Sequence, residues 1–323
     1  MTPYRVILWA AAFATLSAAT SYAQSFPARP IRVVIPFPPG GPTDFAARAL
    51  GAEMSAILGQ TLVMDNRAGG AGLIAAQTVA ASAPDGHTLL FSGAGAFGIN
   101  PALFAGRLPY DPVRDFTPVV LVISSPNLIG AHPRFAANSM ADVIRIAKQS
   151  PGKINVGVGS LGTTQHMAIE LMKMMSGVQV TVIPYKGAAL GMQELIGGSI
   201  DMLSDGIASS LPQVRAGRIK ALAVTSPARV PIAADIPAVA ETLPGFAAIS
   251  WFGLSAPAKM PLDRVGILNR AANAALTKPS LRERYAAAGL NIMGGSPGDA
   301  AAHVRAELTR WAEVVRVTGA KAE

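Results

Sequence analysis

Short β-branched runs alternate with amphipathic segments along most of this chain, and that alternation restricts it to an α/β architecture. The runs are Ile31–Ile35, Thr61–Met64, Thr88–Ser92, Pro118–Ile123, Leu128–Ala131, Ile154–Val158, Val180–Ile183, Ile200–Leu203 and Ile219–Val224. Helical spacing fills the intervals at Asp44–Leu58, Leu73–Ala81, Met140–Lys148, Thr164–Ser176, Leu190–Ile196 and Ser210–Arg215. Gly59 and Gly177 stand where helices would end on a left-handed residue, and Pro151-Gly152 supplies a turn into the next strand. Beyond Trp251–Leu254 the spacing predicts helices alone, at Leu262–Leu276, Ser280–Ala288 and Pro297–Val317.

Two extended stretches break this rhythm. One begins at Asp115-Phe116-Thr117-Pro118 and runs to Pro126; the other runs from Ala248 to Pro257. They read as crossovers, so that a central block interrupts a first lobe, which the C-terminal helices complete. The expected division is 24–124 and 249–323 for lobe 1, with 125–248 as lobe 2. Two α/β lobes joined in this way leave a cleft, the usual place for a small ligand.

The first residues are set apart. Arg5 supplies a positive start, Val6 to Ala19 is apolar, and Ser21-Tyr22-Ala23 places small residues where a signal peptidase reads. Residues 1–23 are therefore expected to be a signal peptide cleaved after Ala23, directing the chain to export and leaving about 300 residues, enough for two domains. The apolar run is short for a membrane span. The chain has no cysteine, which excludes both disulfides and a lipid anchor on an N-terminal Cys. Export without disulfides calls for a large core, and half the residues are hydrophobic. The net charge of +8 is spread over single basic residues such as Arg215, Arg218 and Lys220, with no basic arm. That pattern argues against nucleic acid and favours the attraction of small anions.

Four loops share one construction, a strand end followed by small or hydroxyl residues and then a helix. They are Pro39-Gly40-Gly41-Pro42-Thr43-Asp44, Ser92-Gly93-Ala94-Gly95, Gly157–Thr164 and Pro184-Tyr185-Lys186-Gly187. At such places helix N-termini offer unpaired N–H groups and a partial positive charge, which suits carboxylate or phosphate. In the first loop, prolines restrict the flanking dihedrals, glycines allow close approach, and Thr43 or Asp44 is expected to be the helix N-cap.

Enzyme motifs fit poorly. Gly93–Gly98 and Gly157–Gly162 both match GxGxxG after a strand, but the second lacks the acid expected at the end of the next strand, which reads Ile183-Pro184-Tyr185-Lys186. The first meets Pro101 too soon for a long helix. No P-loop is present, and Val158-Gly159-Ser160-Leu161-Gly162 lacks the first glycine of a nucleophile elbow. His87, His132, His166 and His303 are isolated, with no metal-ligand spacing. No cofactor or metal is expected. His166, early in its helix and near the expected cleft, is read first as a surface or capping residue, with a role at the cleft as the alternative. Asp205, at a strand end, either caps the next helix or accepts a hydrogen bond from a ligand. Lys186 is either a solvated lysine or a formal positive charge for the pocket.

Taken in order, Arg29-Pro30-Ile31-Arg32, PFPPGGPTD, LGQTLVMDNRAGG, APDGHTLL, Asn100-Pro101, LPYDPVRDFTPV, SPGKINVG, VIPYKGA, AGRIKALAVTS, Asp235-Ile236-Pro237 and WFGLSAP resemble the Bug family of periplasmic solute receptors. These are the binding components of tripartite tricarboxylate transporters, and the matches cover nearly the whole chain after residue 23. The resemblance implies a two-lobe, type II Venus-flytrap fold that closes on a small carboxylate. It also implies delivery to a permease of one large and one small membrane subunit, without catalysis. A monomer is the expectation for such a shuttle, and a separate sensor protein is a further conceivable partner. Carried over by position, the carboxylate-holding loop falls on Gly41, Pro42, Thr43 and Asp44, with Ser92, Gly93 and Ala94 lining the same lobe. Ser160, Gly162, Thr163, Thr164, Tyr185, Lys186, Gly187 and Asp205 would come from the other lobe. Pro42 has no N–H, so Thr43 and Asp44 are the better donors. Departures from the family pattern fall at His87, at Ala68–Gly72 and at Gln165-His166-Met167, the last bordering the pocket. The alternative from another class is an exported α/β hydrolase using Ser160 with His166.

Overall fold

The structure is a computed structural model, described over residues 26–69 and 72–321. The expected signal peptide and its cleavage point lie outside these residues, as do Gly70 and Ala71 of the Ala68–Gly72 loop. The chain runs through β1 (Ile31–Ile35), α1 (Pro42–Leu58), β2 (Leu62–Asn66), α2 (Leu73–Ala80) and β3 (Thr88–Gly93). A π-helical turn (Gly95–Ile99) then leads into α3 (Asn100–Leu103) and β4 (Phe116–Ala131). The middle of the chain forms α4 (Met140–Gln149), β5 (Asn155–Val158), α5 (Thr164–Ser176), β6 (Thr181–Pro184), α6 (Ala188–Gly197), β7 (Met202–Gly206), α7 (Ile207–Arg215) and β8 (Lys220–Val224). It closes with β9 (Ile249–Pro257), α8 (Leu262–Thr277), α9 (Pro279–Ala287), β10 (Asn291–Gly294) and α10 (Pro297–Thr318).

The described strands join in one curled sheet in the order β2-β1-β3-β9-β4-β7-β5-β6, with β8 and β10 also paired to β4. At one end β1 lies parallel to both β2 and β3; at the other, β5 lies parallel to both β6 and β7. Strand β1 is apolar except at Arg32, because both its faces are covered. Ile31, Val33 and Ile35 pack with α1, α8 and α9, while Val34 packs on the opposite face with Ala75, Ala76 and Val79 of α2. The result is the expected mixed α/β, two-lobe arrangement, with helices at the C-terminus.

The two extended stretches are both strands, and they pair with each other. Strand β4 lies antiparallel to β9 from Phe116↔Pro257 to Pro126↔Ile249, then continues to pair with β7 from Asn127 to Ala131 and with β8 from Leu128 to Ala131. The runs read separately at Pro118–Ile123 and Leu128–Ala131 are thus one strand. Prolines 118 and 126 hid its continuity; both are accommodated, Pro118 beside a register shift.

Two further expectations are corrected. The C-terminal part is not purely helical, because Asn291–Gly294 adds an edge strand antiparallel to β4. Four residues are too few to show a period of two, and pairing with β4 decides their state. The N-cap of α1 is Gly41, not Thr43 or Asp44. Pro42 occupies the first helical position, where its fixed φ fits and its missing N–H leaves nothing unpaired. Elsewhere the punctuation holds: Gly59 and Gly177 end α1 and α5 with φ of 67°.

Helix α10 buries Ala300, Val304, Glu307, Trp311 and Val314, a stripe at helical spacing. Its stripe faces the π-helical turn, β4 and α5, so the last helix touches elements drawn from both halves of the sheet.

Candidate functional site

The sheet order decides which loops meet. β1 and β3 are parallel neighbours, so the segments at or beyond their C-terminal ends, Gly41–Asp44 and Ser92–Ala94, lie on the same side of the sheet. β7, β5 and β6 are likewise adjacent and parallel, which gathers Asp205, Ser160–Thr164 and Tyr185–Gly187 at one edge. The structure therefore forms two groups from the sequence-derived residues, one at each end of the sheet.

In the first group, Gly41 caps α1 without a side-chain hydrogen bond. The Thr43 and Asp44 N–H groups lie in the first turn, where no intrahelical partner exists. The Asp44 side chain is turned inward and 3% exposed. It accepts from Gly40 N–H at 2.9 Å, from Arg48 Nε at 2.8 Å and from Asn66 Nδ2 at 2.9 Å. Burial would raise its pKa, but the hydrogen bonds from Arg48, Gly40 and Asn66 together with the Arg48 charge outweigh it and hold it at about 2. Asn66 also donates to Phe37 O at 2.9 Å and accepts from Arg48 at 2.9 Å. Asp44, Arg48 and Asn66 thus staple the proline-rich loop to α1 and to the end of β2, with the Gly40 N–H taken by the Asp44 carboxylate. Gly93 has another reason to be glycine: a Cβ there would lie 1.6 Å from Trp251 O on the neighbouring β9. Ser92 and Ala94, on either side, are both 4% exposed.

The second group is built around three helix starts. Thr163 caps α5, its Oγ1 accepting from His166 N–H at 3.4 Å and donating to Ser160 O at 2.8 Å. Gly162 is left-handed, with φ +72°, and its N–H donates to His166 Nδ1 at 3.3 Å. Gly187, with φ +117°, caps α6, and Gly206 caps α7; neither supplies a side chain. Gly187 N–H and Tyr185 N–H are taken by Gly159 O and Val158 O. A Cβ on Gly159 would sit 3.0 Å from Ala188 N, so that glycine lets the start of α6 come close. Lys186 is exposed and makes no ion pair among the described residues. Tyr185 packs its ring over Gly157 and Gly191.

Asp205 is 5% exposed, and its Oδ2 accepts from Ser209 Oγ at 2.6 Å. Burial pushes its pKa up, against the pull of hydrogen bonds from Ser209 and Gly206. It lies one residue ahead of the N-cap of α7 and contacts the first turn of that helix through Ser209 rather than through the N-cap position.

His166 departs from the surface or capping role expected of it. It is 3% exposed, and burial, followed by the Lys173 charge, lowers its pKa to about 4. Ser160 Oγ donates to Leu161 O at 3.1 Å, and His166 Nδ1 is occupied by Gly162 N–H. The nucleophile–base pair that a hydrolase needs is therefore not assembled in this structure.

Three residues not singled out from the sequence, Asn127, Thr225 and Ser250, meet one that was, Thr164. Where β4 leaves β9, Asn127 N–H donates to Thr225 Oγ1 at 2.9 Å, and Thr225 Oγ1 donates to Ala248 O at 2.7 Å. Ser250 Oγ reaches Asn127 Oδ1 at 3.4 Å and contacts Thr164 Oγ1, the first residue of α5. All four side chains are buried. Local sequence does not pair them, because their partners lie 86 to 123 residues away; Thr225, like Asn66, sat inside a quoted motif without a role.

Comparison with known proteins gives concordant results. A family model described as "Tripartite tricarboxylate transporter family receptor" matches residues 46–320. The structure of Rpa4515 from R. palustris, solved with adipate, is 38% identical with a TM-score of 0.83, over 91% of this chain and 98% of that one. MatC (Rpa3494) from Rhodopseudomonas palustris, solved with bound malate, is 35% identical with a TM-score of 0.81, over 90% and 100%. The periplasmic binding protein BugD is 33% identical with a TM-score of 0.81, over 92% and 99%.

Proposed function

Because the chain belongs to the tripartite tricarboxylate transporter receptor family, with Bug-type relatives, we propose that it is a periplasmic solute-binding protein that closes on a small carboxylate. The cargo passes to a permease of one large and one small membrane subunit. The family is one of receptors, and no catalytic role is assigned. The observation that carries the reading is the character of the helix starts. α1, at one end of the sheet, and α6 and α7, at the other, each begin on a glycine without a side-chain cap, and α5 begins between the latter two. Such starts present main-chain N–H groups and the positive end of a helix to an anion.

In this reading Gly41–Asp44 and Ser92–Ala94 hold one side of the ligand. Ser160–Thr164, Tyr185–Gly187 and Asp205 hold the other, with lobe 1 spanning 24–124 and 249–323 and lobe 2 spanning 125–248. Gly162, Tyr185 and Gly187 contribute shape rather than N–H groups, since theirs are already used. The adipate and malate of the two relatives make dicarboxylates the first cargo to try. The signal peptide ends at Ala23, and the receptor acts as a monomer.

The test is a thermal-shift screen of the protein from Gln24 onward against mono-, di- and tricarboxylates, with sugars, amines, phosphates and NAD as controls. A ligand at a hundred times its Kd adds roughly 2.7 kcal/mol of stability. A shift with carboxylates supports the reading. Silence across all carboxylates, in protein shown to be free of carried-over ligand, overturns it.

A further inference from the structure

The loop that enters α5 is held from behind by a side chain that the carboxylate would never touch. His166 lies on the first turn of α5 and is 3% exposed. Burial, and after it the nearby Lys173 charge, keep the ring neutral, with a pKa of about 4. A neutral imidazole has one acceptor nitrogen and one donor. Nδ1 accepts Gly162 N–H at 3.3 Å, so the ring proton is on Nε2, which faces Glu170 Oε1 at 3.8 Å. Glu170, itself 3% exposed, is clamped by Lys173 Nζ at 2.8 and 2.9 Å. A carboxylate behind the ring therefore selects the tautomer whose front nitrogen can accept.

This arrangement decides which main-chain groups remain for an anion. Gly162 N–H is consumed by His166 Nδ1, and His166 N–H is consumed by Thr163 Oγ1. The remaining donors of the first turn are the N–H groups of Thr164 and Gln165, which have no intrahelical partner. Gly162 can adopt this left-handed turn, at φ +72°, because it lacks a Cβ. The hydrogen bond to His166 then selects that conformation among the many open to glycine.

We propose that His166 is a positioning residue for the carboxylate site: its Nδ1 captures Gly162 N–H and so aims the Thr164 and Gln165 amides at the anion. The assignment rests on the carboxylate reading given above. An asparagine at this position would place Oδ1 near the former Nδ1 and keep the acceptor, whereas glutamine would carry its oxygen farther out, toward Glu170. Leucine would keep the volume and remove the acceptor.

The experiment measures binding of adipate and malate by calorimetry to the wild type, H166N, H166Q and H166L, each checked for cooperative unfolding. The expected result is affinity within about threefold of wild type for H166N and a loss of at least about tenfold for H166Q and H166L. Should H166L fold poorly, the comparison of H166N with H166Q decides alone. In the free wild type, ¹⁵N shifts should report the Nε2–H tautomer, and the Gly162 amide should exchange more slowly than in H166Q. Equal affinity in all variants, or H166N as weak as H166Q, overturns the role of His166 and leaves the carboxylate reading standing. A wild type that binds neither acid nor any other member of the carboxylate panel overturns that reading and the positioning role with it.

Discussion

Glu307 and Trp251, on α10 and β9, are joined by a hydrogen bond of 2.9 Å from the indole N–H to the carboxylate. The same Oε2 accepts Trp311 Nε1–H at 2.9 Å, and Arg310 lies 3.6 Å from the other oxygen. One buried carboxylate thus anchors the C-terminal helix to a strand that pairs with β4, next to Ser250 and the polar contacts around Asn127. A buried charge that satisfies two indole donors is costly to remove, because both donors are then left unpaired.

Replacing Glu307 with alanine is expected to lower stability by about 2–4 kcal/mol. Glutamine, which keeps an acceptor, should cost less. Trp251 and Trp311 are the tryptophans of the described residues, so urea unfolding followed by tryptophan emission reads the change directly. A Glu307→Ala protein as stable as the wild type would show that the indoles find other partners.

Asp44→Ala should destabilise by about 2–4 kcal/mol, since it removes the acceptor of three hydrogen bonds and leaves Gly40 N–H and Asn66 Nδ2 without it. The same substitution should loosen the proline-rich loop, seen as faster amide exchange at Gly40 and Gly41. Unchanged exchange there would separate Asp44 from the ordering of the loop.

Gly41→Val and Gly93→Val should differ in kind. At Gly41 the nearest atom to an added Cβ is Pro38 O at 3.9 Å, and its φ of −80° suits any residue. The valine protein is therefore expected to fold with a Tm within a few degrees of wild type and to lose carboxylate binding, because the branched side chain blocks approach to the helix start. At Gly93 the Cβ would lie 1.6 Å from Trp251 O, and the protein should fail to fold. Wild-type affinity in Gly41→Val would remove the loop from the site.

His166 sets a pH dependence whose sign follows from its lowered pKa. Above pH 6.5 neither the folded nor the unfolded form carries the proton. As pH falls from there to about 4, the unfolded chain binds a proton that the folded one excludes, so stability is lost, and the loss levels off below the folded value. Between pH 7.5 and 4.5 the cost is about 2–3 kcal/mol. Asp44, held at about 2, weakens the fold only below the ordinary Asp range. Asp205, raised by burial, works in the opposite direction. Subtracting the stability of H166N from that of the wild type across this range isolates the histidine: the wild type should lose ground steadily towards pH 4.5. A flat difference would mean that the ring protonates in the folded protein.

Local rules carried far in this chain because its strands and helices are punctuated by residues that act locally. Gly59 and Gly177 end their helices in the left-handed conformation, and the apolar run at Ile31–Ile35 is a strand buried on both faces. The ordered motifs also placed the chain in its family and located the loops at strand ends, since a loop's position depends on the flanking periodicity. Tertiary structure decided what those loops contain. Gly41 caps α1 because Pro42 fits its first position; Asp44 turns inward because Asn66 and Arg48 arrive from elsewhere; His166 is buried because α5 is covered by α10 and the sheet. The four residues of β10 and the Asn127–Thr225–Ser250–Thr164 contacts arise from pairing between segments far apart in sequence. Periodicity reports which face of an element is apolar, but hydrogen-bond partners are fixed by the packing of distant elements, and that is where the chemistry of this site was set.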